Sequence, residues 1–200
     1  MLYTYKTISG SAEGIYKEKG SKFLAFAFHV QSEEEIKLKL DHIKKKHHDA
    51  RHHSYAWKLG TNPPVVRSND DGEPTNSAGK PILNQIESAD LTDTLILVVR
   101  YFGGTLLGVG GLIQAYKKAA ADAIQNSKII RCKVMVPVRL HFKYQQMNEV
   151  MRVVKDYDIE TSDQSFGLSC SMILNISLKH KETVFEKLKL IEGCTWKDLS

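Results

Sequence analysis

The sequence predicts an α+β protein in two parts, divided at residues 133–134 of 200. Two kinds of segment interleave throughout. One alternates bulky and small or polar residues with period two, as half-buried strands do; the other repeats apolar residues every three or four positions, as amphipathic helices do. A third observation separates the halves. From residue 134 onward the segments follow the order β-α-β-β-α-β, the split βαβ or ferredoxin-like arrangement. The expected domains are 1–133 and 134–200.

In the first part, Leu24, Phe26, Phe28 and Val30 alternate with Ala25, Ala27 and His29, which predicts a strand. Ser32 followed by Glu35 is a helix start, with Ile36, Leu40 and Ile43 on one face and Lys44, Lys45 and Lys46 in the last turn, where cations suit the helix dipole. His53–Leu59 reads as a strand. Residues 60–77 hold three prolines and two glycines and read as a long loop. Pro81 suits a first helical turn, and Ile82, Ile86 and Ala89 line the helix it starts. Thr94–Tyr101 is almost wholly apolar and predicts a central strand. A glycine-dense loop follows, then a helix with Leu112, Tyr116, Ala119 and Ala123 on one face, running to about Ser127.

In the second part Val136, Val138, Leu140, Phe142 and Tyr144 alternate with Pro137, Arg139, His141 and Lys143. Met147, Val150, Met151 and Val154 have helical spacing. Residues 159–166 and 166–176 predict two further strands. Val184, Leu188 and Ile191 mark a second helix, Gly193 ends it, and residues 195–199 offer a last short strand.

The hydrophobic fraction of 42% excludes a disordered chain. The longest apolar run, Leu95–Val99, is far short of the roughly 20 residues that cross a membrane. The first residues lack the apolar stretch of a signal peptide. Three cysteines without a Cys-x-x-Cys pair exclude a disulfide scaffold or zinc ribbon and point to a reduced, cytoplasmic setting. The net charge of +5 lies wholly in residues 1–134, with 19 Lys+Arg against 14 Asp+Glu; the remainder has nine of each. A basic part beside a neutral one suggests an anionic partner for the first, or serves solubility alone.

Three clusters are candidates for chemistry. The loop Gly103-Gly104-Thr105-Leu106-Leu107-Gly108-Val109-Gly110-Gly111 joins a strand to a helix. It is a tight structural turn, or an anion site on the helix N–H groups; it is neither a Walker A loop nor a clean dinucleotide fingerprint. Asp70-Asp71-Gly72-Glu73 places three carboxylates in four residues. These bond their own backbone or pair with Lys80 or Arg100, Mg²⁺ binding being the alternative. Lys44-Lys45-Lys46 with Arg51 and His53 makes a basic patch, read either as a solvated helix end or as phosphate contacts. No Gly-x-Ser-x-Gly elbow is present, and the cysteines read as small buried hydrophobes.

An ordered set of motifs runs through the first part: Asp71-Gly72-Glu73-Pro74, Ala78-Gly79-Lys80-Pro81, Val98-Val99-Arg100-Tyr101-Phe102-Gly103-Gly104, Leu107-Gly108-Val109-Gly110-Gly111 and Ala115-Tyr116. Together they resemble the IMPACT/YigZ family, with His53 and Ala56 matching its short upstream segment. The resemblance implies an N-terminal domain like the second domain of ribosomal protein S-five, a left-handed βαβ fold. For the C-terminal part it implies a ferredoxin-like domain resembling domain five of elongation factor G. The basic first part and the implied fold relatives together point to a non-enzymatic, translation-linked regulatory binding protein that contacts RNA or a ribosome-associated partner; no cofactor and no membrane are expected. The alternative is an enzyme or binder for an anionic, phosphorylated small molecule at a glycine-rich cleft. The expected binding residues are Asp71, Glu73, Lys80, Arg100, Tyr101, Gly103, Gly104, Gly108, Gly110 and Gly111. Asp71, Glu73 and Arg100 are expected to form the polar heart of a surface cleft.

Overall fold

A computed structural model describes residues 3–199. The chain divides into two compact units, Tyr5–Cys132 and the remaining described residues. The first contains β1 (Thr4–Ile8), β2 (Ser11–Glu18), β3 (Ser21–His29), α1 (Glu33–Lys46), β4 (His52–Leu59) and β5 (Val65–Asn69). It continues with α2 (Gly79–Ser88), β6 (Thr94–Tyr101), α3 (Gly108–Gln125) and β7 (Ile129–Lys133). Five strands form one antiparallel sheet in the order β2-β3-β6-β4-β5, and β1 pairs with β7 in a second. Strand β6 is central, as its continuous apolar run predicts. The β3-α1-β4 connection steps over it.

The two faces of β6 follow from period two. Leu95, Leu97 and Val99 face α1, whose Ile36 and Ile43 are buried against that side together with Phe26, Val30 and Trp57. Ile96 and Val98 face α2 and α3, in a core with Ile82, Ile86 and Leu112. Side chains are small where α3 meets the sheet: Ala25 and Ala27 on β3, and Ala115, Ala119, Ala120 and Ala123 on the helix. Gly14 is part of this fit, because a Cβ there would stand 2.3 Å from the Ala123 nitrogen. At the start of α1 the Ser32 hydroxyl accepts from the Glu35 N–H, and Glu35 reaches back to the Gln31 N–H.

One element departs from the sequence reading. Residues 60–77 are not loop throughout, because Val65–Asn69 form the edge strand β5 on β4. All five residues are exposed, so no buried face imprints an alternation on them.

The second unit contains β8 (Met135–Lys143), α4 (Met147–Asp156), β9 (Glu160–Ser165), β10 (Ser169–Ser177), α5 (Lys181–Lys189) and β11 (Thr195–Asp198). Its sheet order is β11-β8-β10-β9, all antiparallel, with the β-α-β-β-α-β chain order that the alternation predicts. Val136, Val138, Leu140 and Phe142 from β8 meet Cys170, Met172, Leu174 and Ile176 from β10 under Val150, Val184 and Leu188. Met151, expected on the buried stripe of α4, is exposed, and Val153 takes the buried position. Among the described residues, no helix is long and apolar enough to cross a membrane.

Candidate functional site

The site residues of the first unit gather where β4, β6, the segment after β5 and the start of α3 meet. Arg100 continues the Ile96–Val98 face of β6 and so points under the helices. A charge buried there needs a partner. Glu73 supplies it: Arg100 Nη1 donates to both carboxylate oxygens, at 2.7 and 3.0 Å. Tyr116 of α3 donates its phenol to the same carboxylate at 2.7 Å. The Arg100 and Glu73 side chains are only 8% and 3% exposed. The expected pair therefore forms, but as a buried brace between sheet, loop and helix rather than as the heart of an open cleft. Burial first, then the Glu73 charge, push the Tyr116 phenol far above its ordinary pKa, so it stays a proton donor.

The neighbouring carboxylates are also engaged by the chain itself. Asp71 and Gly72 both take positive φ, the pattern of a type I′ turn, and the Glu73 N–H closes it on the Asp70 carbonyl at 3.1 Å. Asp70 then serves the start of α2: its Oδ1 accepts from the Ala78 and Gly79 N–H groups and its Oδ2 from Asn76. Asp71 accepts from the His53 backbone at 2.7 Å and lies 3.9 Å from Lys44 Nζ. Among the described residues, no three His, Cys, Asp or Glu side chains group as metal ligands.

The basic patch divides by burial. Lys44, Lys45, Lys46 and Arg51 are exposed. His53 faces the sheet interior from β4, with its Nε2 donating to the His47 carbonyl at 3.0 Å, and does not display its ring beside them. Tyr101, on the α1 face of β6, donates to Asp49 at 3.0 Å and accepts from His47 Nδ1 at 2.9 Å. Burial and then the nearby Lys46 charge lower the His47 pKa from its ordinary 6.5.

The glycine loop is on the surface. Gly103 is required by contact, since a Cβ would meet the Gly20 carbonyl carbon at 1.9 Å; its N–H donates to the Ser21 hydroxyl. Gly104 and Gly108 hold positive φ. Gly110 faces open space, while Gly111 would bring a Cβ to 3.0 Å from the Leu107 Cβ. No side chain caps the start of α3. Around it Phe102, Leu106 and Val109 are exposed at 54, 82 and 53%. Lys80 lies apart from the brace, in a groove between α2 and α3 with Asn84, Gln114 and Lys117.

Asp49 was not among the candidates, while Asp70 was expected only in the carboxylate cluster and Phe102 and Tyr116 only as motif residues, none of them as a binding residue. The signal for Tyr116 was available: a tyrosine on an otherwise apolar buried face must find a partner for its hydroxyl.

This geometry is that of a two-unit α+β protein with a braced strand–glycine loop–helix junction beside an exposed basic helix end. The family model of the Impact N-terminal domain matches residues 19–124, which cover that junction and the strands around it. The chain belongs to the IMPACT family. It is 34% identical over 175 residues to an IMPACT family member of Haemophilus influenzae, covering 85% of this chain and 84% of that one. It is 36% identical over 135 residues to IMPACT family member YvyE of Bacillus subtilis, covering 68% of this chain and 62% of the relative's length. IMPACT family member YigZ of Escherichia coli is 32% identical over 155 residues, 75% of this chain and 76% of its own. A crystal structure of a hypothetical protein matches the fold over 100% of this chain and 99% of its own, with a TM-score of 0.80 at 24% identity.

Proposed function

We propose that this protein is a translation-linked binding protein whose first unit holds single-stranded RNA. One observation carries the reading: exposed cations gather in the last turn of α1 (Lys44, Lys45 and Lys46) and in the turn after it (Arg51), and Arg51 lines one pocket with an exposed aromatic, Phe102. Cations that follow the phosphates, beside an aromatic face on which a base stacks, are the two elements of single-strand binding. The family resemblance supports the translation link, as does the expected likeness of the first unit to the second domain of ribosomal protein S-five. The alternative, chemistry on a phosphorylated small molecule, asks for free carboxylates; those of Asp70 and Glu73 are taken up by backbone amides, Arg100 and Tyr116.

The test is binding of a short unstructured RNA across a salt series. Three phosphate contacts, at Lys44, Lys45 and Lys46, give a slope of log affinity against log salt of about −2, at roughly −0.7 per contact for single strands. Replacing Lys44, Lys45 and Lys46 by glutamate lowers affinity for every sequence and flattens the slope by about two. Absence of binding at low salt overturns the reading.

A further inference from the structure

Beside the basic patch, Asp49, Ala50 and Arg51 from the turn after α1 face Arg100, Tyr101 and Phe102 across a pocket of roughly 410 Å³, within the range of small-ligand sites. Three features of its lining stand out. First, only one nitrogen of the Arg100 guanidinium is used: Nη1 holds Glu73, whereas Nε and Nη2 make no hydrogen bond among the described residues, and Nε is buried without an acceptor. Nη2 is not closed off in this way and has no partner among the described residues, so it is the donor that an acceptor from outside can reach. Second, the guanidinium carbon lies 5.6 Å from the ring centres of both Phe23 and Phe102, so two aromatic rings hold it in place. Third, the pocket is balanced in charge, because Glu73 offsets Arg100 and Asp49 offsets Arg51. A neutral group with paired donors and paired acceptors suits it better than a phosphate does.

We infer that this pocket takes a guanine base splayed out of the bound strand. Guanine alone among the four bases offers two adjacent donors, N1–H and the 2-amino group, for a carboxylate, together with two adjacent acceptors, O6 and N7, for a guanidinium fork. Asp49 supplies the carboxylate, the exposed Arg51 the fork with Arg100 Nη2 beside it, and Phe102 the stacking face. The phosphates stay outside on Lys44–Lys46. The inference rests on the RNA reading above and adds a sequence preference to it.

The experiment uses the full chain and fluorescence-labelled octauridines carrying one central substitution: guanosine, adenosine, inosine or 7-deazaguanosine. Guanosine binds about tenfold more tightly than adenosine, as one good bidentate contact provides. Inosine, without the 2-amino group, and 7-deazaguanosine, without N7, each lose part of that gain. Asp49→Asn, at an exposed position, abolishes the guanosine preference and leaves the salt slope unchanged. Phe102→Ala weakens every oligonucleotide with less effect on the preference. Equal, salt-sensitive binding of all four overturns the guanine inference and leaves the RNA reading standing. No binding of any at low salt overturns both.

Discussion

Arg100 shows how a single side chain is assigned its role by the face of the strand it lands on. Its neighbours Val99 and Tyr101 point to α1, whereas Arg100 points under α3, where it is buried with Glu73 and Tyr116. Removing one partner of a buried pair leaves the other charge uncompensated, at a cost of about 3–5 kcal/mol. Glu73→Ala is expected to lose stability on that scale in urea unfolding. Tyr116→Phe loses a hydrogen bond to a charged group, about 1.5–3 kcal/mol, together with a longer contact to the Ser54 hydroxyl. His47 predicts a pH effect. Its folded pKa is lowered, so the unfolded chain binds the proton more readily. The stability His47 contributes is present above about pH 6.5 and is lost as the pH falls toward the folded value. Thermal melts between pH 7 and 5 measure it, and His47→Gln flattens the curve if this residue is responsible.

At the scale of elements, the loop into α3 contains glycines of three physical kinds, and substitution separates them. Gly103→Ala forces the chain apart from Gly20 and Ser21 and is expected to cost at least the 1–3 kcal/mol of an overpacked core, read by melting temperature. Gly110→Ala meets nothing within 4 Å in a helical turn and is expected to stabilise by up to about 1 kcal/mol. Asp70→Ala strips three amides at the start of α2 of their acceptor and is expected to cost about 1–2 kcal/mol. Most elements were legible as sequence because one side of each is buried and the other is not. Strand β6 is visible as an apolar run since both its faces are covered, and α1 as a stripe with a Ser32 cap. Strand β5 was not legible, since its residues are exposed and only the backbone bonds to β4 define it.

Over the whole molecule, the charge asymmetry separates the two units. Under the proposed function the excess in residues 1–134 carries the RNA affinity. A charge reversal in the neutral second unit, Lys143→Glu, removes none of the proposed phosphate contacts and is therefore expected to change affinity less than about twofold. The same reversal at Lys45 lowers it clearly; equal effects at both positions would remove the first unit from its assigned role.

By itself the sequence determined the family, the strand and helix order of the second unit, the central strand of the first and the side of the chain that carries the charge. Each of these is written locally, in periodicity, motif order or composition. The pairing of Glu73 with Arg100 was legible in the motifs, but tertiary structure alone decided that the pair is buried and completed by Tyr116, that His53 turns inward while Arg51 stays out, and that Asp49 and Phe102 share a pocket. Those outcomes depend on which residues, 27 to 53 positions apart, the sheet register and the helix packing bring face to face, and no local pattern in the chain encodes that distance.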